Sequence, residues 1–248
     1  MKFTAENSFI SLIIPAYNES ELLPRLLSSV DRARQVFENA NGELEIIVAD
    51  NCSTDTTAQI ATERGCRVIK VEQRCIAAVR NAGAKIAKGG IIAFIDADSI
   101  IHQNTFVQLR EILSNEKYIG GTTGVIPERW SFGIFAAYLC LLPIILLMKM
   151  DTGVVFCRRA DFEKIGGYDE NLQFAEDVAF LFALRRLGKT QGQNLIRATQ
   201  VKAIASTRKF DEHGEWHYFT LPWRLAYSII FKKDKEKIAD HYWYKPNR

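Results

Sequence analysis

Short apolar runs rich in β-branched residues alternate, through the first half of the chain, with segments whose apolar positions recur at the helical period. The runs at 9–15, 44–49, 67–71 and 91–95 are each continuous rather than alternating, the pattern of strands covered by helices on both faces. Between them, 20–37 carries Leu22, Leu23, Leu26, Leu27 and Val30 at helical spacing. Ser53 is placed to cap a helix over 54–64, with Gly65 placed to stop it. Strand and helix alternating in this way predict an α/β fold with a mainly parallel central sheet flanked by helices.

The second half is less regular. A helix over 176–187 and a strand over 201–205 are predicted, but between these and the first half the chain runs FGIFAAYLCLLPIILLM, uncharged from 132 to 148, with Pro143 inside it. That is a little short of the roughly 20 residues that cross a bilayer. Three readings stay open: an apolar helix or helix pair buried in the domain or folded over its site, a hairpin lying in a membrane interface, and a span. From Leu221 the tail mixes Trp223, Tyr227, Phe231, Tyr242, Trp243 and Tyr244 with Arg224, Lys232, Lys233, Lys235, Lys237 and Lys245. This is the composition of a basic amphipathic helix, packed on the domain or touching a membrane. The expected organisation is one domain over 1–220, divided near 125, and a helical tail over 221–248.

Composition narrows the field. In 248 residues, 32 basic and 29 acidic side chains leave +3, too little for nucleic-acid binding to be the default. Hydrophobic content of 48% with 25% charged excludes a disordered chain. Cys52, Cys66, Cys75, Cys140 and Cys157 are odd in number and lie outside any C-x-x-C pair, which reads as reduced thiols in a cytosolic protein. Glu6 and Asn7 interrupt the place where a secretory signal would need its apolar region. A cytoplasmic location, extending to the inner face of a membrane, is the expectation.

Polar clusters stand where strands of a parallel sheet should end, the edge at which open α/β sheets bind ligands. They are 15–19 (PAYNE), 50–55 (DNCSTD), Asp96 with Asp98, and Glu176 with Asp177. Singly, each has an ordinary explanation, since Ser53 and Asp55 suit a helix start and Glu176 and Asp177 complement a helix dipole. Two carboxylates two residues apart at a strand exit can also hold a hard cation, Mg²⁺ or Mn²⁺. A carboxylate at a helix start can serve as a general base. Arg80, on the helix before the fourth strand, is either a phosphate or base contact or a surface arginine. The chain has no G-x-G-x-x-G, no G-x-x-x-x-G-K-[ST] and no G-x-S-x-G, so dinucleotide oxidoreductases, P-loop NTPases and α/β-hydrolases lose their usual support.

Four stretches in order, SLIIPAYNE, IIVADNCSTDTT followed by VRNAGAKIAKGGIIAFIDADS, GVVFCRRADFEKIGGYDE, and AEDVAF, resemble the family 2 glycosyltransferases, which have the GT-A fold. The resemblance runs from about Ser11 to Leu187. It implies a nucleotide-sugar-binding half over 1–125 and an acceptor side over 126–220. It implies that Pro15, Ala16, Tyr17 and Glu19 shape the nucleotide pocket, that Asp50 faces the base and that Arg80 lies near the base or diphosphate. Asp96 would lie near the ribose, Asp98 would bind the metal, and Asp177, with Glu176 beside it, would be the catalytic base. The implied reaction is inverting, metal-assisted transfer from a UDP- or GDP-linked sugar to an acceptor hydroxyl. Two departures stand out. Asn51-Cys52 occupy the place where the family commonly has Asp-Gly, and the Gln/Arg-x-x-Arg-Trp motif of processive synthases is missing, which favours single addition. Residues 206–210 with His213 and His217 could add a third metal or diphosphate contact, with Arg208 the candidate, a basic surface loop explaining it equally well. The apolar segment and tail make a lipid-linked or membrane-proximal acceptor one reading. A nucleotidyltransferase and a non-catalytic membrane-surface protein are the alternatives.

Overall fold

A computed structural model describes residues 8–136, 139, 153–172 and 175–208. Seven strands, β1 (Phe9–Ala16), β2 (Glu43–Asp50), β3 (Arg67–Lys70), β4 (Ile91–Phe94), β5 (Tyr118–Pro127), β6 (Val155–Arg158) and β7 (Asn194–Ala205), form one sheet in the order β3-β2-β1-β4-β6-β5-β7. Of these, β6 alone runs against its neighbours. The expected mainly parallel α/β architecture is therefore present.

Among the described residues the sheet is covered by α1 (Leu23–Asn39), α2 (Thr57–Glu63), α3 (Ile76–Ile86), α4 (Thr105–Leu113), α5 (Arg159–Ile165) and α6 (Glu176–Thr190). Side chains alternate between the faces of a strand, and β1 shows the consequence. Ile10, Leu12 and Ile14 join a core with Leu26 and Val30 of α1 and Phe106 of α4, while Ile13 joins the opposite core with Ala77 of α3, Phe162 of α5 and Phe180 of α6. β1, β4 and the second half of β2 are thus almost wholly apolar because both faces are buried, as the unbroken runs predicted, whereas β3 begins and ends on exposed Arg67 and Lys70.

Two helix starts differ from the sequence expectation. Ser53 does not cap α2, because its hydroxyl accepts from the Asn18 amide at 2.9 Å and is spent tying the β1–α1 loop to the β2–α2 loop. The helix starts three residues later, where Asp55 Oδ1 accepts from the Thr57 amide at 2.9 Å. In the same way α1 begins at Leu23 rather than 20, since the Ser20 amide donates to Asp55 Oδ2 at 3.1 Å. Gly65, with φ +72°, stops the α2 segment as expected.

β5, β6 and the first half of β7 lie outside the predicted strands. Gly120, Gly121 and Gly124 give β5 a poor strand composition. The pairing shows why they are there: a Cβ on Gly121 would stand 1.9 Å from the Ile196 carbonyl oxygen, and one on Gly120 would stand 2.5 Å from that of Phe156. Most of the apolar segment 132–148 lies outside the described residues, as do Lys209, Phe210, His213, His217 and the tail 221–248. Where the segment enters, Ile134 is buried while Phe132, Phe135 and Leu139 are exposed beside Trp130. Among the described residues no helix is long and apolar enough to cross a membrane.

Candidate functional site

The carboxyl ends of β1, β2 and β4 bring the first three polar clusters to one edge of the sheet. Pro15 follows the last β1 residue paired with β4, Ile13 opposite Phe94, so its missing N–H costs no bond on that side. Ala16 and Asp50 end their strands in register, and the Asn51 amide donates to the Ala16 carbonyl at 2.8 Å. Asn18, at φ +51°, turns its side-chain oxygen to accept from the Thr54 amide at 2.8 Å, so the loops carrying Tyr17 and Asp50 are locked together.

The Asn51-Cys52 departure has a local physical reason. The Asn51 side-chain amide donates to the carbonyls of Val71 at 2.7 Å and Gln73 at 2.9 Å, fastening the loop after β3, which a carboxylate could not do. Cys52 holds φ +60°, the left-handed region that costs a β-carbon-bearing residue about 1 kcal/mol or more. Asp50 is buried. Its Oδ2 accepts from the Ser53 amide at 3.2 Å, while Oδ1 is buried without a hydrogen-bond partner. A buried orphan acceptor is expensive unless something donates to it.

The centre of the site is Arg80, on α3, only 4% exposed. One nitrogen, Nη2, donates to Asp96 Oδ1 at 2.9 Å; the other, Nη1, lies 2.8 Å from Glu176 Oε1 and 2.8 Å from Asp177 Oδ1. Its guanidinium also sits over the Tyr168 ring, 5.2 Å from the centroid. Burial pulls the Arg80 proton affinity down, but Asp177 and Asp96 outweigh it and hold the group well above its usual range. Arg80 is therefore a buried residue whose guanidinium is paired with Asp96, Glu176 and Asp177, not the surface arginine of the alternative reading.

One cation faces three carboxylates of unequal exposure: the side chain of Asp96 is 50% exposed, that of Asp177 16% and that of Glu176 7%. Burial pushes the Asp177 carboxyl up, Arg80 opposes this, and Glu176 and Asp96 add to it, leaving Asp177 at about 7. Glu176 and Asp177 open the 15-residue α6, whose preceding residue Ala175 has φ +58°. The helix start favours an anion there. The fourth polar cluster is thus brought to the same site as the first three, across 96 residues of sequence from Arg80.

Arg208 lies at the same edge. It forms a two-pronged pair with Glu19, at 2.9 Å and 2.7 Å, so these two expected nucleotide contacts face each other. Asp98 follows Asp96 in a turn in which the Ser99 amide donates to the Asp96 carbonyl at 3.2 Å. Among the described residues no group of three His, Cys, Asp or Glu side chains is placed to hold a metal. Asp98 with Asp96 nonetheless supplies hard oxygen donors of the number that Mg²⁺ or Mn²⁺ uses when phosphates complete its shell.

Tyr168 was not singled out in the sequence, although it lies in one of the four quoted stretches. Its only signal was an aromatic residue with a hydroxyl following two glycines. It is 2% exposed, stacks on Phe180 at 4.3 Å and meets Phe94 edge-on at 5.1 Å.

Comparison with known proteins bears on the family and the fold. The chain matches the family described as "Glycosyl transferase family 2" over residues 11–136. It is 30% identical over 239 residues to glycosyltransferase GlyG of Streptococcus pneumoniae serotype 4, covering 92% of this chain and 69% of that protein. It is 35% identical over 106 residues to glycosyltransferase AglE of Haloferax volcanii, covering 40% of this chain and 34% of AglE, so that match spans about a third of that relative's length. The crystal structure of S. aureus TarS 1–349 in complex with UDP-GlcNAc superposes with a TM-score of 0.63 at 22% identity, covering 80% of this chain and 58% of that one. That likeness shows the fold, which is of the GT-A type. Four ordered motifs, their convergence on one sheet edge and a match over half the sequence lead to one conclusion: the chain belongs to glycosyl transferase family 2.

Proposed function

We propose that this chain transfers a sugar from a UDP- or GDP-linked donor to an acceptor hydroxyl with inversion. The observation that carries this reading is the Arg80 cluster, which sets a carboxyl poised at about 7 beside a half-exposed one at a strand exit. Asp177 takes the proton of the acceptor hydroxyl. The acceptor oxygen bonds to the anomeric carbon from the face opposite the leaving group, and the bond from that carbon to the diphosphate oxygen breaks. Asp50 Oδ1, buried without a partner, suits an N–H of the base. Pro15, Ala16 and Tyr17 flank it, Asp96 suits the ribose hydroxyls, and the Glu19–Arg208 pair lines the same edge. Asp98 would hold a Mg²⁺ or Mn²⁺ ion, which when bound supplies charge neutralisation for the departing diphosphate.

A thermal-shift screen against UDP, GDP, dTDP and CDP sugars, with and without Mn²⁺, tests the donor. One nucleotide class is expected to raise the unfolding temperature of the wild type, because a ligand that binds only the folded state must stabilise it. The Mn²⁺-dependent part of the shift should vanish in Asp98→Ala. No shift with any donor under any metal condition would overturn the transferase reading.

The acceptor is proposed to be lipid-linked or membrane-proximal, on the support of exposed Trp130, Phe132, Phe135 and Leu139 at the entry to the apolar segment. Flotation with vesicles containing anionic lipid should recover the protein in the lipid fraction at low salt, and less of it at physiological salt as screening weakens the basic contribution. Absence from the lipid fraction at both salt levels would rule this acceptor out.

A further inference from the structure

We propose that Tyr168 is a positioning residue for the transfer reaction, its ring seating Arg80 and its hydroxyl holding the Asp177 carboxylate in line with the acceptor. The inference rests on Asp177 being the base, as proposed above, and adds a residue to that site.

The chain goes to some length to place this side chain. Gly166 and Gly167, at φ +80° and +76°, turn the backbone out of α5. A Cβ on Gly167 would meet the Asn81 side-chain oxygen at 2.6 Å, so the turn needs glycine there for space as well as for conformation. Asn81 then grips Tyr168 from both sides: its oxygen accepts from the Tyr168 amide at 2.9 Å and its amide donates to the Tyr168 carbonyl at 2.9 Å. Asn81 and Arg80 are consecutive on α3, so one helix turn fixes the backbone of Tyr168 and lays a guanidinium on its ring.

The ring joins the two elements that carry the carboxylates. Phe94 ends β4, two residues before Asp96, and Phe180 lies three residues after Asp177 on α6. Tyr168 contacts both and lies 6.3 Å from Phe162 of α5, forming an aromatic floor under the cluster. Packing alone would be served by phenylalanine. The hydroxyl is buried and, like Asp177 Oδ1, has no hydrogen-bond partner by distance and angle, while it lies within electrostatic reach of Asp177 and favours the ionised form. The charged and titratable groups around the pair are Arg80 from α3, Asp96 after β4, Glu176 on α6 itself and Cys157 from β6. Among them Tyr168 and Arg80 are the groups that favour an ionised Asp177, while Glu176 and Asp96 oppose it.

The test is Tyr168→Phe, which keeps the ring and removes one oxygen. Nucleoside-diphosphate release from the donor found in the screen, with water as acceptor, is followed across pH 5.5–9 together with donor affinity and unfolding temperature. Release should fall by about ten- to a hundredfold, the loss of one hydrogen bond to a charged group. Donor affinity should stay within about twofold, and the rise of rate with pH should move to higher pH, because a group that favours the ionised base has gone. A variant matching the wild type in rate and pH profile would overturn the proposal while leaving the transferase reading intact. So would a variant that loses donor affinity and thermal stability with an unmoved profile, which would make Tyr168 a packing residue only. A wild type that neither binds nor cleaves any donor would overturn the transferase reading itself, and this inference with it.

Discussion

Asp177→Asn is expected to slow nucleoside-diphosphate release by about 10²- to 10⁴-fold, the usual contribution of a positioned general base, while donor affinity stays near wild type. Asparagine keeps the shape and still accepts a hydrogen bond but cannot take a proton. The pH profile of the wild type supplies the companion result. With Asp177 held at about 7, activity should rise through neutral pH as the carboxyl ionises. The stability consequence has the opposite sign. The folded state holds the Asp177 proton more tightly than the unfolded chain, whose carboxyl has the ordinary value of 3.8. That contribution is complete below about pH 4 and is lost as pH rises through 7. Asp177→Asn escapes the loss, so it should unfold at a higher temperature than wild type at pH 8, with the difference shrinking towards pH 5. An inactive variant that is less stable than wild type at pH 8 would mean that the Arg80 pair dominates Asp177 and that ionisation there is favourable. A fully active variant would remove Asp177 from the mechanism.

Arg80→Met should produce the largest loss of stability, about 3–5 kcal/mol in urea unfolding, as when one partner of a buried ion pair is removed. The loss comes chiefly from Glu176 and Asp177, which are left as neighbouring buried anions; Asp96, half exposed, is compensated by water and contributes little. The deficit should depend on pH in a defined direction. Without the guanidinium, which lowers it, the Asp177 carboxyl takes up a proton more readily in the folded state. That contribution is then present at low pH and lost as pH rises. The variant should therefore lie closer to wild type at pH 5 than at pH 8. An equal deficit at both values would show that methionine fails by shape against the Tyr168 ring rather than by charge. Arg80→Lys should recover only part of the stability at pH 8, since one ammonium cannot present two separated nitrogens to Asp96 on one side and to Glu176 and Asp177 on the other.

Much of the molecule is written locally. The apolar runs of β1, β4 and the second half of β2 are nearly continuous because both sheet faces are covered, with Ser11 a buried polar exception, while the short β3 begins and ends on exposed Arg67 and Lys70. The polar clusters at 15–19, 50–55 and 96–98 could be read because strand ends are where the chain leaves the core, and a strand that has just been buried announces its own end; the cluster at 176–177 opens a helix instead. The resemblance then joined those ends into one expected site, and family membership is consistent with it.

What could not be read locally depended on partners far away in the chain. β5 looked unlike a strand because its glycines have no side chains to signal one; they are needed only because the backbones of Phe156 and Ile196 close in from either side. Ser53 looked like a helix cap until tertiary contact gave its hydroxyl to Asn18. Arg80 had two plausible lives on its helix, and its burial among Asp96, Glu176 and Asp177 was settled by where α6 starts relative to β4. Tyr168 became part of the site by the same route. Hydrophobic periodicity reports whether a residue is buried, which is a property of its own segment. The charge a residue meets once buried belongs to the packing of segments, and only the folded chain decides it.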